Sequence, residues 1–416
     1  MEHRIRIGIV GAGGWGRNLL RVVDAHPDVE LAAICDPDPE ALDATGKRHP
    51  SACRFADFDN LLQARDSGTG PAGQERLDAV ILASPPLFHK PQAEAALDAG
   101  LDVLVEKPLA LNSQDAGALY HKAAACGRIL MVGHTFLYSN LVHEVKRRIE
   151  DGSLGDILCI QSQRLNLGRV RTDVDALWNF APHDISITNF LLDAWPTHVN
   201  ARGHSFIQPE QNIADVAYFH MEFAGRTPAN ECPDDAGANR AATNGPVMSG
   251  QVSWLDPLKT RRMVVVGRAQ MLVYDDMDAQ RHIQVFDKRV ERKFQASPDD
   301  FCDFRTKVRA GDVVIPHIQL VEPLHVEIDH FQSCIRERKR PLSDGLHGWM
   351  TTCVLEAMTT SMNNGGARTA VDHSPLAAMP FAGKSVVRDW DAPRTVDRIE
   401  GESVVSAVVG DEGGMP

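Results

Sequence analysis

The sequence predicts an α/β protein in two parts: a doubly wound parallel sheet, then a C-terminal α/β domain built on a mostly antiparallel open sheet. Up to about residue 135, short apolar runs rich in β-branched residues alternate with stretches of helical periodicity, as in a parallel sheet covered by helices. Farther on, strand-like runs follow one another without helices between them, which is the habit of antiparallel sheets. The length, 416 residues, exceeds what a single typical core organises.

The first strand is read at Arg4–Val10, an Arg-Ile-Arg-Ile-Gly-Ile-Val run that suits burial on both faces. It runs directly into Gly11-Ala-Gly13-Gly14-Trp15-Gly16. In this place a Gly-x-Gly-x-x-Gly has a mechanism. Gly11 permits a tight turn, Gly13 lets the backbone approach a pyrophosphate, and Gly16 lets the following helix pack on the sheet. The free N–H groups at that helix's start would hold the phosphates. A helix then covers Asn18–Ala25, and a second strand at Leu31–Cys35 ends in Asp36, 20 residues after Gly16. That is where an acid bonds a ribose 2′-OH, and its charge would repel a 2′-phosphate, so NAD is expected rather than NADP.

Further elements follow in turn. Pro39–Lys47 reads as a helix opened by proline, and Asp66–Glu75 as a surface insertion. Strands at Ala79–Ala83, Val103–Val105 and Ile129–Val132 alternate with helices at Lys90–Ala99 and Gln114–Cys126. The pattern changes near Thr135. A helix at Leu141–Glu150 and a turn at Gly152/Gly155 lead to strands at Ile157–Gln163, Val216–Phe223, Gln251–Trp254, Arg262–Gly267 and Gln270–Tyr274. Gly225–Gly250, rich in Gly, Ala, Asn and Pro, reads as a mobile loop. Closing helices are expected at Val321–Glu337 and Gly345–Asn363, and Gly410–Pro416 as a disordered tail. The domains expected are 1–135, 136–370 and a C-terminal extension, 371–416.

Composition narrows the function classes. The apolar fraction of 43% and charged fraction of 24% are those of a soluble globular chain. A net charge of −13 argues against a nucleic-acid partner, because backbone binding needs a basic surface. No apolar run approaches a membrane span and the charged N-terminus leaves no signal-peptide core, so a cytoplasmic protein without a membrane partner is expected. The eight cysteines are scattered without ligand spacing, so no metal site is expected.

Two segments could carry chemistry. Glu106-Lys107-Pro108 closes the strand Val103–Val105, and ligands of open α/β sheets sit at the carboxyl ends of strands. Lys107 there is either a solvated loop lysine or a group that binds a substrate hydroxyl and offsets charge on the developing carbonyl oxygen. In Trp178-Asn179-Phe180-Ala181-Pro182-His183-Asp184, His183 at the start of a helix read from Ile185 to Leu192 could take and return a proton. Asp184 is then an orienting partner or an N-terminal helix charge. Arg164, Arg169 and Arg171, placed just after a strand, are either a plain basic loop or a clamp for the anionic part of a substrate.

Taken in order, the glycine loop, Asp36, Ser84-Pro85-Pro86-x-x-His89, Glu106-Lys107-Pro108, Gly152-x-x-Gly155 and Asn179-x-x-x-His183 resemble the glucose–fructose oxidoreductase and inositol dehydrogenase family over about residues 4 to 370. The resemblance implies a Rossmann domain, then a sheet that often makes homodimers or homotetramers, with a Lys-Pro peptide that is often cis. It implies cofactor contacts from Gly11, Gly13, Gly14, Trp15, Gly16, Asp36, Ser84, Pro85, His89, Glu106 and Lys107, catalytic roles for Lys107 and His183, and substrate contacts from Tyr138, Arg164, Asn179 and Asp184. Family members use the stretch Gly133–Tyr138 to face nicotinamide and sugar; here His134 and Tyr138 are either contacts or helix-start packing. Several members have aspartate where this chain has Asn179, which can hydrogen-bond but cannot take a proton, so His183 would carry the acid/base role. Asp175 stands out of register as a substitute.

The segments Gly133–Tyr138, Gln163–Gly168 and Trp178–Ile185 are most similar to the branch that oxidises nucleotide-linked amino sugars. The activity implied is hydride transfer to NAD from a sugar hydroxyl, C3 of UDP-N-acetylglucosamine or its uronic acid. A free polyol or inositol dehydrogenase, a deoxysugar ketoreductase, and a dinucleotide sensor with dead chemistry are the alternatives.

Overall fold

The computed structural model describes residues 4–64, 76–168, 170–225, 245–293 and 305–377. The chain divides into two compact units, one formed by Met1–Ser139, Val321–Glu356 and the segment from Asp372 on, the other by Asn140–Leu320 and Ala357–Val371. The expected second domain is therefore interrupted, since Val321–Glu356 belongs to the first unit. The segments expected as an insertion at Asp66–Glu75 and as a tail at Gly410–Pro416 lie outside the described residues, as does most of the loop expected at Gly225–Gly250.

In the first unit the elements run β1 (Ile5–Val10), α1 (Gly14–Ala25), β2 (Val29–Cys35), α2 (Pro39–Arg48), β3 (Cys53–Phe55), α3 (Phe58–Ala64), β4 (Ala79–Leu82), α4 (Pro86–Asp98), β5 (Asp102–Glu106), α5 (Ser113–Cys126) and β6 (Leu130–Gly133). All pairings in this sheet are parallel, in the order β3-β2-β1-β4-β5-β6. Every residue of β1, β4, β5 and β6 is buried, because helices cover both faces and leave no polar alternation. Val10, Leu82, Val105, Leu119 and Val132 share one core, against which Trp349 packs. Between β1 and β4 the strand order reverses, and this opens a crevice at the carboxyl ends of those strands.

The second unit contains α6 (Asn140–Glu150), β7 (Ile157–Leu165), α7 (Ala176–Leu192), β8 (His198–His204), β9 (Val216–Glu222), β10 (Val247–Ser253), β11 (Thr260–Gly267), β12 (Met271–Asp275), β13 (Ile283–Lys293) and β14 (Arg305–Val314). Helices α8 (Pro323–Glu337) and α9 (Gly345–Asn363), the short strand β15 (Thr369–Ala370) and α10 (Ser374–Ala377) complete the described chain. Nine strands form the second sheet, in the order β14-β13-β12-β11-β7-β10-β9-β8-β15. The sheet is antiparallel except where β10 runs parallel to β7. Val247–Gly250, expected in the loop, is strand paired with Cys159–Ser162. No helix of the described residues is long and apolar enough to cross a membrane.

Helix α7 lies against one face of this sheet. Asp175 caps it by accepting from Trp178 N at 2.8 Å, so the helix begins at Ala176 rather than Ile185, with Pro182 inside it. From β7, Ser162 and Arg164 reach the helix on the same side of the strand. Ser162 Oγ donates to Asp184 Oδ1 at 2.8 Å, and the Arg164 guanidinium donates to the same carboxylate at 3.2 and 3.4 Å. Both charged groups are buried. Removing one member of such a pair leaves the other charge in a dry site without that counter-ion. Asp184→Ala is expected to destabilise the second unit by about 3–5 kcal/mol in urea denaturation. A loss below about 1 kcal/mol would show that the guanidinium is satisfied elsewhere.

Candidate active site

The glycine loop leaves β1 at Gly11, whose φ of 97° lies in the left-handed region. A Cβ there would stand 2.7 Å from the Ala83 carbonyl carbon and oxygen. At Gly16 a Cβ would come within 1.9 Å of Gly11 O, so only glycine lets α1 start this close to the strand. Gly13 and Gly14 differ in kind, for nothing lies within 4 Å of where their Cβ atoms would be. The protein's own packing makes no demand on them, and the open side suits a pyrophosphate lying on the amides at the start of α1. Asp36, half-buried after β2, accepts from Ala12 N at 2.6 Å and from Asp38 N at 2.9 Å, which ties this carboxylate to the loop. These residues fit NAD: the loop for its phosphates, Asp36 for its adenosine ribose.

Lys107 follows β5, and its peptide bond to Pro108 is cis. Glu106, buried at the strand end, accepts from Trp15 Nε1 at 2.5 Å and from the Lys107 amide at 3.3 Å. The glycine loop and the lysine segment therefore share one carboxylate. Ser84 follows β4 and donates to Gln92 Oε1 at 2.6 Å, and Pro85 precedes the first turn of α4. His89, expected among the cofactor contacts, is buried instead: its ring bridges Ser84 O at 2.8 Å and Pro108 O at 2.7 Å. It joins the loops after β4 and β5 from within the protein.

Tyr138, expected at the substrate, is fully buried in the first unit and bonds Ser343 Oγ at 2.9 Å. Burial, and then the neighbouring Glu327, push its phenol well above the ordinary range. The packing alternative holds for this residue. Both His134 ring nitrogens are buried without a hydrogen-bond partner among the described residues, and the ring stands edge-on to His347 with centroids 5.1 Å apart. Burial, then His347 and Lys107, hold His134 well below its usual pKa; burial and Arg340 bring His347 to about 3. Both rings are neutral at pH 7.

In the second unit, Asn179 and His183 lie four residues apart on α7 and share a face, with His183 half-buried. His183 stands in the helix interior, not at its start. Asp184 is accordingly no N-terminal helix charge but the partner of Arg164, and both of these expected substrate contacts are engaged with each other inside the unit. Asp175 is the helix cap. Arg169 lies outside the described residues, and Arg171 pairs with Asp173 on the surface. Sequence reasoning missed Glu327, a buried acid on α8 that accepts from Thr135 Oγ1 at 2.8 Å. No local motif marks it.

Comparison with known proteins agrees with this layout. The model of the GFO/IDH/MocA oxidoreductase family, NAD-binding Rossmann fold, matches residues 5–134, and that of the family's C-terminal domain matches 142–273. The chain belongs to this family. It is 22% identical over 374 residues to scyllo-inositol 2-dehydrogenase (NAD(+)) of Bacillus subtilis (strain 168), covering 88% of this chain and 96% of that protein. To UDP-N-acetylglucosamine 3-dehydrogenase of Acidithiobacillus ferrooxidans it is 27% identical over 227 residues, 54% of this chain and 66% of the relative. Alignments with three further curated relatives span only 60%, 37% and 58% of their lengths. The structure of the WlbA dehydrogenase from Bordetella pertussis in complex with NADH and UDP-GlcNAcA superposes with a TM-score of 0.66 at 20% identity, covering 89% of this chain and 99% of that one.

NAD is the cofactor of this Rossmann unit, and Gly13 offers a clean probe of where it lies. Its φ of −67° is accessible to any residue and its Cβ would meet nothing, so Gly13→Ala is expected to keep the wild-type melting temperature. The added methyl would occupy the phosphate's space and raise the NADH dissociation constant about tenfold or more in a fluorescence titration. Wild-type affinity in this variant would place the pyrophosphate elsewhere.

Proposed function

We propose that the protein is an NAD-dependent dehydrogenase of a sugar hydroxyl, acting at C3 of a nucleotide-linked amino sugar such as UDP-N-acetylglucosamine or its uronic acid. The observation that carries the reading is the placement of Lys107 at the carboxyl edge of the sheet that carries the glycine loop, with one Glu106 carboxylate serving both segments. Bound NAD supplies the hydride acceptor. Lys107 is assigned to hold the reacting hydroxyl by its ammonium and to offset charge as the oxygen becomes a carbonyl. His183 is assigned to accept the hydroxyl proton, since Asn179 on the same helix face can orient a hydroxyl but not deprotonate it.

The nucleotide-sugar substrate draws its support from the relative and the solved complex named for UDP-sugars. Two observations favour a second reading, a free polyol or inositol dehydrogenase. Arg164, a candidate for the substrate's anionic part, is committed to Asp184, and the inositol enzyme aligns along 96% of its own length. A homodimer or homotetramer formed through the second sheet belongs to either reading. Its outward face carries the neighbouring Gln163, Gln251 and half-exposed Tyr218.

Turnover on UDP-sugars and on myo-inositol, followed at the nicotinamide absorbance band, separates the two substrates. With the better substrate, Lys107→Ala and His183→Ala are each expected to lower kcat by about 100-fold or more while NADH still binds. Full activity in both variants would overturn the assignment of roles.

A further inference from the structure

Two carboxyl side chains arrive at the carboxyl end of β6 from opposite directions in the sequence. Glu106, at the end of β5, pairs with Gly133 in the sheet and lies so close that a Cβ on Gly133 would stand 2.8 Å from its carboxyl carbon. Two residues after Gly133, Thr135 donates its hydroxyl at 2.8 Å to Oε2 of Glu327, which comes from α8. Glu327 is fully buried, and its Oε1 has no hydrogen-bond partner among the described residues. The surroundings of the two acids are unequal. Glu106 receives N–H donors from Trp15 and Lys107, whereas Glu327 receives one hydroxyl.

We propose that Glu327 is a positioning residue for the cofactor site, acting through Glu106: it occupies the dry space at the end of β6, held by Thr135, and keeps the Glu106 carboxylate turned onto Trp15 and the Lys107 amide. Like charges disfavour each other in a dry site, so ionisation of Glu327 is opposed by Glu106. Burial first, and then the charge of Glu106, push the Glu327 carboxyl well above the ordinary carboxylate range. The titratable groups that face it are Glu106 from β5 and Tyr138 from the 3₁₀ turn Thr135–Tyr138. Helix α1 also packs on α8, and the ion pairs there, Arg21 with Glu322 and His26 with Asp329, lie on other residues of that side.

The inference rests on NAD binding at the first unit and not on the choice of sugar, so failure of the substrate reading leaves its test intact. That test is an NADH fluorescence titration of the full chain between about pH 6 and pH 10, with melting temperatures recorded alongside. In the wild type, ionising Glu327 at high pH places a second negative charge beside Glu106, so NADH affinity is expected to fall as pH rises. Glu327→Gln keeps an acceptor for Thr135 and carries no charge; it is expected to bind NADH within about twofold of wild type at pH 7 and to lack the alkaline fall. Glu327→Leu, uncharged but without polar atoms, is expected to bind about tenfold more weakly at pH 7 even where its melting temperature matches the wild type. A merely structural Glu327 would shift melting temperatures and leave NADH affinity unmoved in every variant. That result, or the same alkaline fall in wild type and Glu327→Gln, would overturn the proposal.

Discussion

The hydrogen bond from the Trp15 indole to Glu106 joins residues 91 apart in sequence, and the geometry of the first unit's site depends on it. Trp15 belongs to the first turn of α1, and Glu106 ends β5. The bond therefore fixes the start of α1, after the glycine loop, relative to the strand end that carries Lys107. A hydrogen bond to a charged acceptor contributes about 1.5–3 kcal/mol, more than an ordinary one, and this one is partly buried. Its strength requires room for the carboxylate against β6. Gly133 provides that room by having no side chain where Glu106 lies.

What was legible in the sequence was what local physics dictates. The strands of the first sheet announce themselves because burial on both faces demands unbroken apolar runs, and Gly11, Gly16 and Asp36 act within one βαβ unit. Elements without such a demand were missed. Strand β3 has three residues, none of them buried, and β8 buries only Val199 and Ala201 among polar neighbours. Helix α7, expected from Ile185, begins instead at Ala176. Asp175 had already nucleated the helix by capping it, and the proline is carried inside.

The site divides along the same line. Residues whose role follows from adjacency, such as Lys107 after β5, stand where their motif places them. Residues whose role depends on burial do not: His89, Tyr138, Arg164 and Asp184 read as ligand contacts from their neighbours in sequence, yet their polar atoms are engaged inside the protein. Glu327 is the converse. It lies 192 residues from Thr135 and became visible only once Val321–Glu356 was seen to return to the first unit. Nothing in a helix's own periodicity states which sheet it will cover.

The two units also handle buried charge in different ways. In the second, Arg164 and Asp184 face each other as a buried ion pair, each charge offset by its partner. In the first, burial opposes charge instead: it pushes the Glu327 carboxyl well above its ordinary range and holds the His134 and His347 rings below theirs. In such a medium of low dielectric a charge acts more strongly than it would in water. A neutral buried acid has a defined cost. Folding must keep a proton that the unfolded chain releases above its usual pKa near 4.5, so stability falls with rising pH until the folded pKa is reached.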